Sequence, residues 1–344
     1  MLQSTNLWKR RLNFQYHGIL FLLGCFIFVS TLLFVVLDKV ENTLSSYSGA
    51  KPNVDDEDGH PSSSRINGTE MMWQLPESPR AVLFIAHGCS GRVANFWSKS
   101  AACPDCVGLP EERNIVRAAI ARSYAVLAIS SSGKCWTLGD ELNVVRNLIK
   151  WWVGENKLNN LPLVALGASS GGYFVSMLAL RMKFSSITLM VAEGMFGKFE
   201  IKNTYSPTLF VHMPKDKFRK ERIDKYVQLL KEREIDVGEI ECKELALSPT
   251  FFAERIVGFD VSLSSQLFDL FQSNGFVDSN GYMLKDGRIT RWKEALLEQR
   301  SLHIPKTLYP HVQEQINLAF AYHEMTGDYI QQILEWFDSH NKYK

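Results

Sequence analysis

A serine flanked by glycines is the most chemically suggestive feature of this 344-residue chain. Gly167-Ala168-Ser169-Ser170-Gly171 has the spacing G-x-S-x-G, in which small residues two positions from the serine let a strand turn sharply into a helix. Such a turn lifts the serine hydroxyl above the edge of a sheet, at a helix N-terminus that favours a developing negative charge. Ser169 is therefore a candidate catalytic residue, and a tight turn without catalysis is the alternative.

The elements that must position this serine follow a regular alternation. Short apolar runs, typical of strands buried on both faces of a parallel sheet, occupy residues 81–86, 124–129, 161–166, 187–192 and 208–213, and residues 237–245 are a candidate sixth strand. Helical spacing separates them, at residues 111–122, 142–158, 173–182 and 218–233. The pattern predicts an α/β fold with a doubly wound, mostly parallel sheet and helices on both faces.

Three motifs in this framework together resemble the α/β-hydrolase superfamily, over roughly residues 80–344. They are His87-Gly88-Cys89-Ser90-Gly91 after the first strand, the serine turn, and Met213-Pro214-Lys215-Asp216 after a late strand. The resemblance implies that Ser169 is the nucleophile, and that the backbone N–H groups of Ser170 and Cys89 form an oxyanion hole. His87 in such a motif shapes its loop and is not the expected base.

The resemblance also implies an acid on the loop after the strand at 208–213. Asp216 fits, in the chain order Ser…Asp…His that the fold requires. Its role would be to orient the histidine and stabilise the imidazolium. An N-cap for the charged helix that follows is the structural alternative for Asp216, and Glu193 is the alternative acid.

Several histidines are candidates for the catalytic base. In the family it closely follows the last strand, but residues 242–249 contain none, and 247–310 are predicted to form an inserted helical lid or subdomain. The candidates are His303, His311, His323 and His340. His323 is favoured, since it precedes an amphipathic run that resembles the family's closing helix; His311 is the second choice, and no functional histidine is the third.

An N-terminal apolar segment predicts membrane anchoring. Residues 18–37 carry no charge and are long enough to span a bilayer, whereas a cleavable signal peptide, the alternative, would be shorter. Lys9, Arg10 and Arg11 place residues 1–17 in the cytoplasm and the remainder in the lumen or outside the cell. Asn67-Gly68-Thr69 is a glycosylation sequon that agrees with this orientation, and the polar residues 38–79 are predicted to be a flexible stalk.

Net charge and cysteine spacing argue against nucleic-acid binding and a structural zinc site. Lys and Arg number 38 against 37 Asp and Glu, a net charge of +1, which argues against nucleic acid as a partner. Cys103-Pro104-Asp105-Cys106 is a lone C-x-x-C without a second pair at zinc-site spacing. In an oxidising compartment, a disulfide that involves Cys103, Cys106 or Cys135 is expected, with an odd thiol left over.

The sequence thus predicts a membrane-anchored serine hydrolase of the secretory pathway that uses Ser169, Asp216 and His323 on a small-molecule or lipid-like acyl ester. Such chemistry needs no cofactor or metal. Trp136 is the aromatic residue expected to line the cleft, because ligands bind near the carboxyl ends of strands. The alternatives are an inactive hydrolase-like scaffold and, last, a thiol oxidoreductase built on Cys103 and Cys106.

Overall fold

A mixed sheet of eight strands forms the centre of the computed structural model, which describes residues 60–299 and 301–341. The strands are β1 (Ser62–Ile66), β2 (Thr69–Gln74), β3 (Ala81–Ala86), β4 (Tyr124–Ile129), β5 (Leu163–Ala168), β6 (Ile187–Met190), β7 (Thr208–His212) and β8 (Val237–Glu241). Their spatial order is β1-β2-β4-β3-β5-β6-β7-β8. β2 runs antiparallel to both neighbours, and every pair from β4 to β8 is parallel.

Helices cover both faces of this sheet. Those in the described residues are α1 (Pro110–Ala121), α2 (Glu141–Glu155), α3 (Ser170–Leu178), α4 (Lys217–Glu232), α5 (Phe251–Arg255), α6 (Val261–Ser273), α7 (Trp292–Glu298), α8 (Tyr309–Phe320) and α9 (Ile330–His340). α1 and α9 pack on one face and α2, α3 and α4 on the other. Each presents an apolar stripe, so the sheet is buried between two helical layers, as predicted for the fold class.

The central strands show why the sequence pattern was informative. β3 and β4 are buried at every residue, and their continuous apolar runs carry side chains into both helical layers. Both strands have the predicted bounds. Because parallel strands end at the same edge of the sheet, the loops after β3, β5 and β7 meet there.

The predicted stalk is wrong for residues 62–74, which form the β1–β2 hairpin. Asn67 and Gly68 form its turn with positive φ values of 49° and 83°, a conformation that this residue pair favours in hairpins. Met71 and Met72 are buried where β2 pairs with β4, so the hairpin extends the sheet at its edge. The sequon residue Asn67 is exposed at the tip.

The segment between β8 and α9 contributes its own helical layer. α5, α6, α7 and α8 share an apolar cluster that includes Phe252, Phe271 and Trp292. None of the helices at 60–299 and 301–341 combines the length and apolar character that a membrane span requires. The predicted anchor at 18–37, the cytoplasmic segment at 1–17 and residues 38–59 of the predicted stalk lie outside the described residues.

Candidate active site

The turn between β5 and α3 holds Ser169 in a strained conformation. Its φ of 52° and ψ of −117° lie in a region that side chains other than glycine rarely adopt. The neighbouring glycines are sterically required: a Cβ on Gly171 would lie 2.2 Å from the Ala86 carbonyl oxygen, and one on Gly167 would lie 2.2 Å from the Gly171 oxygen. The close approach of β3, β5 and α3 therefore forces Ser169 out of regular structure and toward the sheet edge.

Ser169, His323 and Asp216 are brought together at this edge. Ser169 Oγ lies 2.9 Å from His323 Nε2, within hydrogen-bond reach. His323 Nδ1 lies 3.3 Å from Asp216 Oδ2, a longer and less well aligned contact. The two ring nitrogens thus face a hydroxyl on one side and a carboxylate on the other, which is the arrangement a general base requires.

Asp216 makes the contacts of both roles that the sequence left open, helix cap and partner of a histidine. Its Oδ1 accepts a 3.3 Å hydrogen bond from the Arg219 amide and so caps α4. Its Oδ2 accepts a 2.6 Å bond from the Arg219 guanidinium beside the contact to His323. Burial alone would raise the pKa of Asp216, but hydrogen bonds from His323 and Arg219 outweigh it and hold the pKa below its usual value.

His323 lies on the loop between α8 and α9. α8 ends where Ala321 adopts a left-handed conformation with φ of 54°, so the chain turns away before His323. Arg288 donates to the His323 carbonyl oxygen and pairs with Glu324 at 2.7 Å. The buried Glu111 carboxylate accepts a 2.7 Å bond from the Gly327 amide. Two elements distant in sequence thus hold the histidine loop from both ends.

The loop after β3 is fixed by its own side chains. His87 Nε2 accepts a 3.0 Å hydrogen bond from the Ser131 amide, so Nδ1 donates to the Gly88 carbonyl 2.6 Å away. Burial is the main cause of the lowered pKa of His87, which favours this neutral state. A disulfide joins Cys89 to Cys135 on the loop after β4.

Trp136 does not line the cleft, contrary to prediction. Its ring packs on Phe174 with 4.3 Å between centroids, and its Nε1 donates to the His87 carbonyl at 2.9 Å. It is buried in the cluster under α2 and α3, where its size fills space behind the loop. Trp136 therefore supports the loop after β3 from behind.

The backbone amides of Cys89 and Ser170 are the candidate oxyanion donors. Within the described residues, neither N–H donates to a backbone or side-chain acceptor, whereas the adjacent amides of Ser90 and Ser169 donate to Lys134 and Met190. Cys89, on the loop after β3, lines the same cavity as Ser169, and Ser170 follows Ser169 at the start of α3. Such unpaired amides are what an oxyanion hole requires.

The other candidate residues lie elsewhere. Glu193 accepts hydrogen bonds from Tyr173 and, at 2.9 Å, from Arg222, and it is not in contact with His323 within the described residues. His311 contacts the Val107 carbonyl at 3.1 Å, and His340 pairs with Asp236 at 2.9 Å. His303 is exposed.

The cysteines pair as a second bridge and a free thiol. Cys103 is joined to Cys106, so the C-x-x-C residues are oxidised, and the five cysteines of the described residues leave Cys242 as a buried thiol. This confirms the expected disulfide and odd thiol. Burial is the main reason that the pKa of the Cys242 thiol is raised to about 12, which makes it a poor nucleophile at neutral pH.

A cavity of about 540 Å³ opens above Ser169. One wall is formed by the loop after β3, and the facing wall by α8 and the histidine loop. Its polar lining includes Asn95, Glu112, Arg288, Gln313, Glu314, Asn317 and Glu324. These residues were not predicted from the sequence, because α1, α8 and the loop around Arg288 (the 280s loop) carry no motif that marks a pocket.

The chain has the α/β-hydrolase fold. Its sheet order, its antiparallel second strand and the strained serine after β5 confirm the predicted resemblance. No protein-family model matches the chain, and no curated protein matches it significantly.

The solved structures that the chain resembles do so at low sequence identity and low TM-score. A lidless α/β serine hydrolase from Xanthomonas campestris is 13% identical over 54% of this chain and 85% of its own, with a TM-score of 0.40. An esterase from Pyrococcus furiosus is 12% identical over 56% of this chain and 86% of its own, also at 0.40. TT1662 from Thermus thermophilus is 14% identical over 54% and 90%, at 0.38. Likeness at this level concerns the fold alone.

Proposed function

We propose that the protein is a serine hydrolase that cleaves a carboxylic ester through Ser169, His323 and Asp216. The observation that carries the proposal is the pair of contacts at His323, 2.9 Å to the serine oxygen and 3.3 Å to the carboxylate. A strained serine at a helix N-terminus, a histidine in contact with its hydroxyl and an ionised acid beside that histidine supply the groups that acyl transfer needs.

The reaction follows from what each group can do. Ser169 Oγ attacks the ester carbonyl carbon while His323 Nε2 takes its proton, and the amides of Cys89 and Ser170 stabilise the tetrahedral oxyanion. Collapse expels the alcohol, which receives the proton from the imidazolium, and leaves an acyl-serine. Water then attacks this ester with His323 as base, and the acid departs as Ser169 recovers its proton.

Neither alternative function gains support from a specific observation. An inactive scaffold would have its histidines far from Ser169, whereas His323 is within hydrogen-bond reach. A thiol oxidoreductase would need Cys103 and Cys106 exposed and reactive, but Cys106 is buried.

Labelling with a fluorophosphonate probe tests the hydrolase. The full-length chain should be labelled, and Ser169→Ala should abolish labelling, because the probe reacts only with an activated serine hydroxyl. Ser63→Ala, which removes an exposed hydroxyl on β1, is the matched control and should be labelled like the wild type. Equal labelling of wild type and Ser169→Ala would sink the proposal.

The proposal also covers membrane attachment and the cellular compartment of the domain. Residues 18–37 anchor the chain in a membrane of the secretory pathway, with the hydrolase domain lumenal or extracellular and Asn67 glycosylated. The exposure of Asn67 on the β1–β2 turn and the two disulfides are compatible with that compartment.

Two measurements on expressed full-length protein test the membrane setting. Glycosidase treatment should shift the gel mobility of the wild type but not of Asn67→Gln, and alkaline carbonate should fail to extract the protein from membranes. Release by carbonate would reject the membrane anchor. The absence of any glycosidase-sensitive shift would reject the glycosylation of Asn67.

A further inference from the structure

Two buried carboxyl groups lie in the wall of the cavity above Ser169. Glu112 on α1 is 7% exposed and Glu314 on α8 is 5% exposed, and both line the cavity. No hydrogen-bond donor of the described residues reaches Oε2 of Glu112. Glu314 Oε2 accepts a 3.1 Å bond from the Glu111 amide. The two side chains are neighbours across the interface of α1 and α8.

Glu112 and Glu314 have no cationic partner in the part of the chain that the structure describes. Within residues 60–299 and 301–341, no lysine or arginine forms an ion pair with Glu112 or Glu314, whereas their neighbour Glu111 pairs with Arg255 at 3.0 Å. Burial is the main reason that the pKa values of Glu112 and Glu314 are raised, and the proximity of Glu112 raises the pKa of Glu314 further. Two such carboxyls are stable only if they share a proton or receive a cation.

The other carboxylate of the cavity, its arginine and two of its amide side chains already have partners. Glu324 pairs with Arg288 at 2.7 Å and accepts a 2.7 Å bond from Asn317. Gln313 donates to Asn317 at 2.9 Å and accepts from Trp292 at 3.0 Å. The uncompensated charge of the cavity therefore lies at Glu112 and Glu314. A fatty-acyl chain in contact with these carboxyls would remove their water and offer no hydrogen bond or ion pair in return.

We propose that Glu112 and Glu314 bind a protonated amino group, so that the substrate is a small ester that carries one cationic nitrogen. The identification as a substrate rests on the proposed hydrolase function, whereas the binding of the cation does not. An ammonium group has three N–H donors, enough to reach both carboxyls, and its charge replaces that of the proton the pair holds. On binding, that proton passes to solvent and the ammonium takes its place, so the charges balance.

Thermal unfolding of the full chain with small probes tests the binding step. At pH 7.5, n-butylammonium should raise the unfolding midpoint, since a ligand that binds only the folded state stabilises it. Its half-maximal concentration should be at least about tenfold lower than that of 1-butanol, its neutral match, or of butanoate, its anionic match. Butylammonium should also protect Ser169 from a fluorophosphonate at the same concentration.

Variants locate the cation. Glu112→Gln and Glu314→Gln should each reduce the preference for butylammonium over butanol to less than threefold, a ratio measured within each variant so that altered basal stability cancels. Glu298→Gln, which neutralises an exposed carboxyl on α7, should retain the full preference. Because the two substitutions are made in separate variants, the test still gives a result if one of them does not fold.

The outcomes separate this proposal from the hydrolase. Butanol or butanoate that stabilises the chain as well as butylammonium overturns the cationic site, as does a preference that persists in both glutamine variants. If Ser169 is not labelled but butylammonium stabilises the wild type and not the variants, the hydrolase fails and the cation site stands. If Ser169 is labelled but butylammonium stabilises the chain no better than butanol, the hydrolase stands and the cation site fails.

Discussion

At the scale of single residues, Asp216 must serve both a helix and a histidine. Its two oxygens receive the Arg219 amide and guanidinium, and only one of them faces His323 Nδ1. The two bonds from Arg219, at the start of α4, fix the orientation of the carboxylate toward His323. The same bonds that lower its pKa keep it ionised at neutral pH, as stabilisation of an imidazolium requires.

Substitution of His323 or Asp216 should lower activity far more than substitution of a histidine outside the site. His323→Ala and Asp216→Asn should each lower kcat/KM for an activated ester by about 10³-fold or more, because the first removes the proposed base and the second removes the carboxylate that would orient it. His311→Ala should stay within a few-fold of the wild type, since His311 contacts the Val107 carbonyl away from Ser169. Hydrolysis of a 4-nitrophenyl ester gives the measurement; a small loss for His323→Ala would argue against general-base catalysis.

The residues that could be predicted from the sequence are those with a local signature. Ser169 has its glycines, Asp216 its place after a strand, and His323 its place before a closing amphipathic helix. Arg288 and Glu112 have none of these, because their importance comes only from how α1, α8 and the 280s loop meet. Long-range packing of this kind leaves no periodic trace in a single sequence.

At the scale of elements, the packing of β3 against α3 depends on Gly171. Gly171→Ala would place a Cβ 2.2 Å from a backbone oxygen that cannot move aside, and should cost on the order of 3 kcal/mol of unfolding free energy. Gly154→Ala in α2, where an added Cβ would lie more than 4 Å from every atom outside its own stretch of helix, should stabilise by about 0.5–1 kcal/mol through helix propensity. Urea unfolding of both variants checks the contrast, and equal stabilities would contradict the packing argument.

The two disulfides should differ in their effects. By chain-entropy arguments, the Cys89–Cys135 bridge, with a sequence separation of 46, should contribute about 4 kcal/mol, and the Cys103–Cys106 bridge, with a separation of 3, about 2 kcal/mol. Only the first holds the loop that carries a candidate oxyanion amide. Replacement of both its cysteines by serine should therefore lower kcat as well as stability.

The second bridge supplies the control for that experiment. The doubly substituted Cys103→Ser, Cys106→Ser variant should lose stability but keep kcat within a few-fold, since Cys103 and Cys106 do not line the cavity. Unfolding by urea and steady-state kinetics under the same conditions give both quantities. An equal loss of kcat in the two double variants would show that the Cys89 bridge has no particular role in catalysis.

The elements are predictable where burial is complete and less so at the edge of the sheet. β3 and β4 are apolar throughout, and their predicted bounds are confirmed. β1 is polar and mostly exposed, so its sequence resembles a linker, which is why the stalk prediction is wrong there. The Asn67-Gly68 turn is a hairpin signal, but it lies within a sequon, and the sequon alone does not indicate strands on either side.

At the scale of the whole molecule, buried acids join distant parts of the chain. Glu111 binds Arg255, Gln315 and the Gly327 amide, and so links α1, α5, α8 and the histidine loop. Glu112, Glu314 and Glu324 lie around the cavity beside this network. Such groups make stability depend on pH, because their protonation differs between the folded and unfolded states.

The sign of that dependence follows from the direction of the pKa shifts. Burial is the main cause that raises the pKa of Glu324 to about 7 from an ordinary value of 4.5, so between these values the folded state keeps a proton that the unfolded state has lost. Unfolding free energy should therefore fall as pH rises from about 4.5 to 7, by at most about 3 kcal/mol from this group. Asp216 and Asp338 have lowered pKa values and act oppositely, with stability lost only in more acidic solution.

Urea unfolding of the full chain between pH 5 and 7.5 measures this dependence. The wild type should lose stability as pH rises, and Glu324→Gln should flatten the slope, because glutamine has no proton to lose. Glu298→Gln, the exposed control on α7, should retain the wild-type slope. A slope that is unchanged in Glu324→Gln would mean that other groups set it. A rise in wild-type stability over this range would show that burial does not keep the cavity carboxyls protonated in the folded state.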